Sequence, residues 1–313
     1  MTFKLINTEG ETFQPSLIYN YEISFSVDAP CNAVRLYFLY DGNMGDMGET
    51  QKVFIYNDNS LIFNGLCDEQ KLTETAEGTE CFIYARGMCA VLIDNEAEPM
   101  EYDHPSAKEL FFNNARAFGF SEDLPDIYSE FTYSVSKGTS VFGAINDFVL
   151  MQTGVPVFVD EAGTVRCFER SNTAKDLQNF NVVSRKTIID RSDLVSLVHY
   201  KIDSSEGYIR HFKSEFLERQ GIDRERFINL TSYPEWQREF LAENEILEPL
   251  KNYYQTEAKL FGTENICLFD TFLVDGDTFT VYDVTYLKDD GGEFTEITLK
   301  KDIAGEIINY VAK

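Results

Sequence analysis

The chain is 313 residues long, and its 27 Lys and Arg against 53 Asp and Glu leave a formal net charge of −26 at neutral pH. Such a polyanion does not bind nucleic acid through a generally basic surface. Hydrophobic residues make up 43% of the chain, including 26 Phe and 17 Tyr. This is enough apolar material for sizeable cores, and it excludes a wholly disordered chain.

The N-terminus lacks a basic segment followed by an apolar one, so it does not have the pattern of a secretory signal. No apolar run approaches the roughly 18 residues that a membrane-spanning helix needs. The six cysteines include no C-x-x-C pair, and the three histidines are scattered. These features predict reduced thiols in a cytosolic protein that has no cofactor, with carboxylate-only calcium sites left as an open alternative.

Residues 1–98 are predicted to form a β module. Tyr21, Ile23 and Phe25 alternate with polar residues, which is the pattern of a half-buried strand. About six strands fit into this segment, which is typical of a small barrel or sandwich. Residues 41–50 carry three Gly and two Met. They are predicted to form a loop, either an ordinary flexible one or a contact that orders on assembly.

Residues 99–180 change to an α+β pattern. Ser106, with Glu109 three residues later, forms a capping box that opens a helix, and the apolar face of this helix is predicted to continue to Phe118. A second helix and a β-hairpin are predicted at 140–168.

Residues 181–313 are predicted to revert to β. Residues 212–227 fit either a helix or an extended insertion. A further helix is predicted from Pro234 to Leu247, with Pro249 breaking or kinking it. Strands are predicted at 194–200, 258–261, 266–269, 278–287 and 293–299. The predicted fold class is therefore α+β and mainly β, with two β modules joined by an α+β region.

The chain contains no G-x-S-x-G elbow, no H-E-x-x-H helix and no phosphate-binding loop. Asp94 and Glu96 form a tempting acid–base pair, but their surroundings favour a solvated turn. Cys81 and Cys89 lie near Arg86 in the sequence, which is one way to activate a thiolate. Because no His is near them in the sequence, we expect them to be unreactive.

The segment Asp275-Gly276-Asp277 resembles a fragment of a calcium loop. It lacks the remaining ligands, so a β-hairpin is the favoured interpretation. Trp236, the single tryptophan, is expected to anchor a core beside its helix. We therefore predict no catalytic, cofactor-binding or metal-binding residue.

A series of short motifs is more specific than any catalytic pattern. In chain order they are I-F-N-G at 62–65, C-F-I-Y-A-R-G at 81–87, A-V-L-I-D-N-E-A at 90–97, A-F-G-F at 117–120, S-K-G-T-S at 136–140 and V-D-G-D-T-F-T-V at 274–281. Together they resemble the baseplate hub proteins of contractile phage and prophage tails, a late control protein D-like family that is similar to the hub portion of type VI secretion spikes. The resemblance is weakest between residues 170 and 270.

The resemblance implies two small β-barrels per chain, at 1–98 and 181–313, joined by the α+β region at 99–180. It implies a non-enzymatic homotrimer whose six barrels form a ring, adapting a six-fold tail tube to a three-fold spike. The implied partners are the tail tube protein, the central spike, and the baseplate wedge and tape-measure proteins. In a phage, DNA would pass through the lumen without specific binding; a bacteriocin-like particle would carry none. The implied location is the baseplate of a virion or tail-like particle, assembled in the bacterial cytoplasm without membrane insertion of its own.

On this basis we hypothesise that part of the negative charge lines the channel and repels phosphate, the alternative being general solubility. Because the sequence ends at Lys313, directly after the second β module, we expect a bare adaptor without a fused enzyme. Two other functions remain open at this point. One is a hub-like unit of a non-contractile tail, and the other is an acidic carbohydrate-active β protein.

Overall fold

A computed structural model describes residues 1–40, 47–76, 78–169, 171, 173–233, 235–301 and 309–311. The first β module consists of seven strands. They are β1 (Thr2–Asn7), β2 (Thr12–Phe13), β3 (Leu17–Ser26), β4 (Ala33–Tyr40), β5 (Thr50–Asn57), β6 (Ser60–Thr75) and β7 (Gly78–Gly87). The predicted loop lies before β5, and its residues 41–46 fall outside the described residues.

The α+β region follows directly. Its elements are α1 (Cys89–Asp94), β8 (Met100–Tyr102), α2 (Ala107–Asn114), a 3₁₀ turn (Arg116–Phe118), β9 (Ser121–Asp123), β10 (Tyr133–Val135), α3 (Val141–Thr153), β11 (Val157–Val159) and β12 (Thr164–Cys167).

The remaining chain combines two sheets. Its elements are β13 (Ala174–Asp176), a 3₁₀ turn (Leu177–Asn179), β14 (Val182–Ile189), β15 (Leu197–Lys201), β16 (Arg210–Lys213), α4 (Glu215–Arg219), β17 (Glu225–Asn229), α5 (Glu235–Lys251), β18 (Tyr254–Phe261), β19 (Thr271–Val274), β20 (Asp277–Asp289), β21 (Gly292–Lys301) and β22 (Asn309–Val311).

A 13-stranded sheet runs through both β modules. Its main path is β14-β18-β21-β20-β3-β4-β7-β6-β5-β1-β2, with β19 paired to both β13 and β20. The modules join where β20 pairs antiparallel with β3, placing Tyr286 opposite Ile23 and Val284 opposite Phe25. Their buried side chains belong to one apolar core. The predicted mainly β, α+β fold is confirmed, and the direct fusion of the two modules into one sheet is a feature that the sequence did not indicate.

Two further cores lie beside this sheet. One is built from the α+β region between Cys89 and Val165. The other lies under a four-stranded sheet of order β17-β15-β16-β22, where Val198 and Tyr200 pack with Ala242 and other residues of α5. The described residues thus bury three apolar clusters, and the boundaries at 98 and 180 stay a prediction.

Two local sequence patterns in residues 1–180 form the structure that they predict, and a third does not. Tyr21 and Ile23 are buried on β3, as their alternation predicts. The Ser106 hydroxyl accepts a hydrogen bond from the Glu109 amide at 3.0 Å and caps α2. The prediction that Phe118 lies on the apolar helix face is wrong. The α-helix ends at Asn114, and a 3₁₀ turn leaves the Phe118 ring exposed.

The last segment departs further from prediction. The ambiguous residues 212–227 form the end of β16, all of α4 and the start of β17. Helix α5 continues two residues past Pro249, so this proline lies in the last turn rather than ending the helix before it. The strand predicted at 266–269 is absent: residues 266–267 have no regular structure, and residues 268–269 form a turn in which Phe269 adopts a left-handed backbone with φ 65°. None of the described helices is long and apolar enough to cross a bilayer.

Gly65 in β6 allows a close backbone approach, which gives a first prediction. A methyl group at this position would collide with the Arg86 carbonyl oxygen and lie 2.7 Å from the Phe63 ring. We expect Gly65→Ala to lower the free energy of unfolding by about 1–3 kcal/mol through overpacking. Gly207→Ala is the matched control, because it adds its methyl group to open space. Urea unfolding measures both variants, and an equal effect of the two would contradict the argument.

Candidate assembly interface

The motif residue Arg86 ties two elements of the first module to the α+β region. Its Nε donates to Asp68 Oδ2 at 2.5 Å, and its Nη2 donates to Asp94 Oδ2 at 2.7 Å. The hydrogen bond from Arg86 holds the pKa of Asp94 below its ordinary value. Asp94 therefore acts as a structural brace at the end of α1.

Glu96 has a separate structural role. Its carboxylate accepts a hydrogen bond from the Gly138 amide at 2.6 Å, and its backbone bridges to that of Ser140. These contacts fix the loop that leads into α3, which Ser140 caps by accepting from the Gly143 amide at 3.0 Å. Asp94 and Glu96 thus turn to different partners and do not form a facing carboxylate pair.

The Asp275-Gly276-Asp277 segment forms the tight turn between β19 and β20, as the hairpin interpretation predicts. Asp275 and Gly276 have positive φ angles of 52° and 90°. The Asp275 carboxylate pairs with Arg185 at 3.0 Å, and the Asp277 carboxylate pairs with Lys301 at 2.6 Å. Over the described ranges, no group of three His, Cys, Asp or Glu side chains is arranged to hold a metal ion.

The cysteines flagged by the sequence are neutral thiols. Burial raises the pKa of Cys81 to about 12 and also raises the pKa of Cys89. Both side chains are buried and free of disulfides. The side chain of Trp236 lies outside the described residues.

A cleft of about 740 Å³ opens where the two β modules and the α+β region meet. Its walls include Phe25, Phe158 and Tyr286, one from each of the three parts. Among the described residues that line the cleft, Arg166 is the single basic one, and the acids are Asp28, Asp123, Asp160, Glu161 and Glu169. Burial raises the pKa of Glu161. The cleft is therefore acidic and has aromatic walls, and we call it the seam.

A ladder of four aromatic rings runs along this seam. The centroid distances are 4.3 Å from Phe158 to Phe168, 4.7 Å from Phe168 to Phe269 and 6.0 Å from Phe269 to Tyr282. The β20 register shifts between Val281 and Asp283, at the position of Tyr282. The second module contributes two rings to the ladder, and each comes from an irregular part of the backbone. Phe269 has a left-handed backbone, and Tyr282 lies at the bulge.

Lys300 extends the ladder to the first β module. Its ammonium lies 4.3 Å from the centroid of the Tyr282 ring and donates to Asp28 Oδ2 at 2.9 Å. Its side chain is only 7% exposed, so this charge is held by its two partners in place of water. One chain of contacts therefore braces all three parts of the molecule.

Strand β14 ends the path of the large sheet, and nearly all of its side chains are exposed. Val183 and Ile189 are each 54% exposed. Between them, Arg185 pairs with Asp275 in the β19–β20 turn and Lys186 pairs with Glu257 on the adjacent β18. The register of β14 with β18 shifts between Val182 and Ser184 and is regular from Ser184 to Ile189. An edge strand rich in β-branched residues is a ready site for pairing with another chain.

The four-stranded sheet presents a second exposed surface, to which Lys201, His199, His211, Tyr208, Ile209 and Phe227 contribute together with Glu225, whose carboxylate lies 3.3 Å from a ring nitrogen of His199. Phe227 and Ile209 are each 60% exposed. The His199 ring stacks on Phe227 at 4.6 Å, and the Lys201 ammonium lies 5.2 Å from the Tyr208 centroid.

A third surface lies on the α+β region. This region exposes the aromatic residues Phe112, Phe118, Tyr128 and Phe131, and the Arg116 guanidinium lies 4.7 Å from the centroid of the Phe112 ring. Tyr128 is 68% exposed. Scattered exposed apolar residues are ordinary, but several on one module indicate a contact surface.

Neither a protein-family model nor a curated protein matches the chain. Solved structures do match it. The 43 kDa tail protein of prophage MuSo2 from Shewanella oneidensis is 14% identical, with a TM-score of 0.77 over 96% of this chain and 98% of the other. A tail protein from Neisseria meningitidis MC58 is 13% identical, with a TM-score of 0.76 over 96% of each chain. An E. coli component of the type VI secretion system is 9% identical, with a TM-score of 0.55 over 96% of this chain and 75% of the other.

The chain therefore has the fold of phage and prophage tail proteins and of type VI secretion components, as the resemblance implied. At these identities the likeness establishes the fold alone. The sequence analysis did not predict β14 or the exposed surfaces of the four-stranded sheet and the α+β region. The β-branched residues at both ends of V-V-S-R-K-T-I-I at 182–189 are a signal for a strand. The exposed surfaces depend on which side of each element packs inward, and the sequence does not give that side.

The aromatic ladder gives the second prediction. Phe168→Ala removes one of its two inner rings and is expected to lower the free energy of unfolding by about 1–3 kcal/mol. The matched control is Phe112→Ala, which removes an exposed ring and is expected to change stability by less than about 0.5 kcal/mol. Denaturant titration followed by circular dichroism compares the two. A Phe168 variant as stable as the control would show that the ladder does not hold the modules together.

The Arg86–Asp94 pair gives the third prediction. The hydrogen bond from Arg86 lowers the pKa of Asp94 in the folded state. The contribution of the Asp94 carboxylate to the free energy of unfolding is therefore present above its unfolded-state pKa of about 3.9, and it is lost as the pH falls through its folded-state pKa. Asp94→Asn is expected to be less stable than the parent at pH 7, with the difference shrinking toward pH 3. Asp290→Asn is the exposed-carboxylate control. A pH-independent difference for Asp94→Asn would refute this assignment, and urea unfolding at pH 7, 5 and 3 provides the measurement.

Proposed function

We propose that the chain is a structural baseplate hub of a contractile tail or tail-like injection particle. Three copies form a ring that adapts the six-fold tail tube to the three-fold spike and lines the central channel. The observation that carries the proposal is the fusion of two β modules through the β3–β20 pairing. Because each chain holds two β modules at a fixed spacing, a ring of three chains presents six β modules to the six-fold tube.

The structural neighbours support this role. Tail proteins from Neisseria meningitidis and prophage MuSo2 share the fold over nearly the whole length of both chains. A type VI secretion component of E. coli shares it over most of its length. The proposed partners are the tail tube protein, the spike, and the baseplate wedge and tape-measure proteins. The proposed location is the baseplate of a virion or tail-like particle that assembles in the bacterial cytoplasm.

The residues that suggested chemistry support a structural role rather than an enzymatic one. Asp94 is engaged by Arg86, Glu96 by a backbone amide, and Asp277 by Lys301. In a phage, the acid-rich channel wall would repel DNA phosphates and keep the passing duplex from adhering.

The three-fold ring gives the fourth prediction, which light scattering over a dilution series tests. We expect a species near 108 kDa, three times the chain mass of 35.9 kDa. A stable dimer would contradict the three-fold ring. For a chain that stays monomeric, co-purification with the spike protein decides, because a partner can shift the assembly equilibrium. Failure to form a trimer with the spike would then reject the hub role.

A further inference from the structure

The seam has the size and the composition of a ligand pocket. Its volume of about 740 Å³ lies within the range of roughly 300–1,000 Å³ that small-molecule sites occupy. Apolar and aromatic side chains form most of its walls, and a few polar groups lie among them. Those polar groups decide which class of ligand the seam accepts.

The charged groups of the seam leave an excess of carboxylates. Arg166 pairs with Asp160 at 3.1 Å and with Asp123 at 3.9 Å. Lys300, which is not part of the lining, pairs with Asp28 at 2.9 Å. With Lys300 counted, the described residues of the seam supply five carboxylates and two cations, a net charge of −3. The seam therefore stays anionic after these ion pairs are formed.

Glu161 is a half-buried carboxylate in the turn between β11 and β12, and it forms no ion pair with a basic side chain of the described residues. Burial is the main cause of its raised pKa, and the nearby Arg166 guanidinium offsets this only in part. A carboxylate removed from water is destabilised unless a cation or hydrogen-bond donors replace that water. A ligand cation beside Glu161 supplies such a partner.

The aromatic ladder has a cation at one end and none at the other. At its far end, the Lys300 ammonium lies 4.3 Å from the centroid of the Tyr282 ring. Its first ring, Phe158, lines the seam and stacks on Phe168. Over the described part of the chain, no Lys or Arg lies above the Phe158 ring. The face of an aromatic ring attracts cations, so this end of the ladder is open to one.

The uncapped ring and the unpaired carboxylate belong to the same part of the seam. Phe158 lies directly opposite Arg166 in the β11–β12 hairpin, and the Arg166 charge acts on Glu161. Both Phe158 and Glu161 line the cleft. One ligand can therefore meet a carboxylate and an aromatic face together.

We propose that the seam is a binding site for an organic cation, an ammonium or guanidinium group carried on an apolar body. The cation pairs with the Glu161 carboxylate and lies against the Phe158 ring, and the apolar body packs on Phe25 and Tyr286. Two sources supply this chemistry, a free amine and a Lys or Arg side chain of a partner protein. The inference goes beyond the proposed hub role and does not depend on ring formation.

Isothermal titration calorimetry of the full chain with phenethylamine tests the charge preference. The matched probe is 3-phenylpropionate, which carries a carboxylate on a similar apolar body. We expect phenethylamine to bind at least about tenfold more tightly at neutral pH, because the seam is anionic. Equal affinities for the two probes would overturn the proposal.

Two variants test the assigned groups. Glu161→Gln removes the charge and keeps the shape, and Phe158→Leu removes the ring and keeps an apolar side chain. Each is expected to raise the dissociation constant of phenethylamine at least about fivefold. Glu74→Gln is the matched control, because Glu74 is exposed on β6 and lies outside the lining. An unchanged affinity in Glu161→Gln, or an equal loss in the control, contradicts the assignment. Circular dichroism checks that each variant is folded.

Cys267 reports where the ligand binds. This cysteine is exposed and lines the seam, whereas Cys67 is partly exposed and lies outside the lining. Saturating phenethylamine is expected to slow the alkylation of Cys267 by iodoacetamide at least about threefold and to leave Cys67 unchanged, as followed by mass spectrometry. Protection of neither thiol, or of both equally, rejects the seam as the site.

A short peptide separates the two sources of the cation. N-acetyl-phenylalanyl-lysine amide is compared with its glutamine counterpart, which lacks the charge. Binding of the lysine peptide at least about tenfold more tightly than phenethylamine assigns the seam to a partner side chain, and weaker binding assigns it to a free amine. Binding of neither cation overturns the proposal. Every measurement uses the chain alone, so this failure leaves the hub role intact, and a failure to form a trimer leaves the inference intact.

Discussion

The antiparallel pairing of β3 with β20 is the constraint on which the rest of the molecule depends. It joins strands from near the two ends of the chain, and a single core lies under both modules. Because side chains alternate along a strand, a slip of one residue would turn Ile23 and Tyr286 away from that core. The register is therefore strongly specified, and it fixes the distance and orientation between the two modules.

This long-range pairing leaves the α+β region as an insertion that must be held from the side. The aromatic ladder holds it against the second module, and the Lys300–Asp28 ion pair joins the second module to the first. Neither contact is regular secondary structure. The ladder coincides with a left-handed Phe269 and a bulge at Tyr282, which are irregularities of the second module. Backbone strain of this kind persists only where surrounding contacts compensate for it, and the stacked rings supply that compensation.

Local patterns predicted the elements whose signals are local. The Ser106 cap, the alternation around Ile23 and the turn at Asp275 follow from short-range chemistry, and the structure has each of them. Residues 266–269 are not the predicted strand, because Ile266 packs into the main core while the ring of Phe269 stacks in the ladder. The pairing of the two modules could not be predicted, because strands that pair across most of the chain carry no local sequence signal for their partner.

The distribution of cations explains how so acidic a chain folds compactly. Its 27 Lys and Arg are outnumbered nearly two to one by 53 acids. Several of them lie at joints between strands or modules, as Lys300 does at Asp28 and Lys175 does at Asp270. Neutralisation is thus concentrated where chain segments must touch, and excess carboxylates are left to solvent. The same rule makes contacts between the acid-rich surfaces of two copies repulsive.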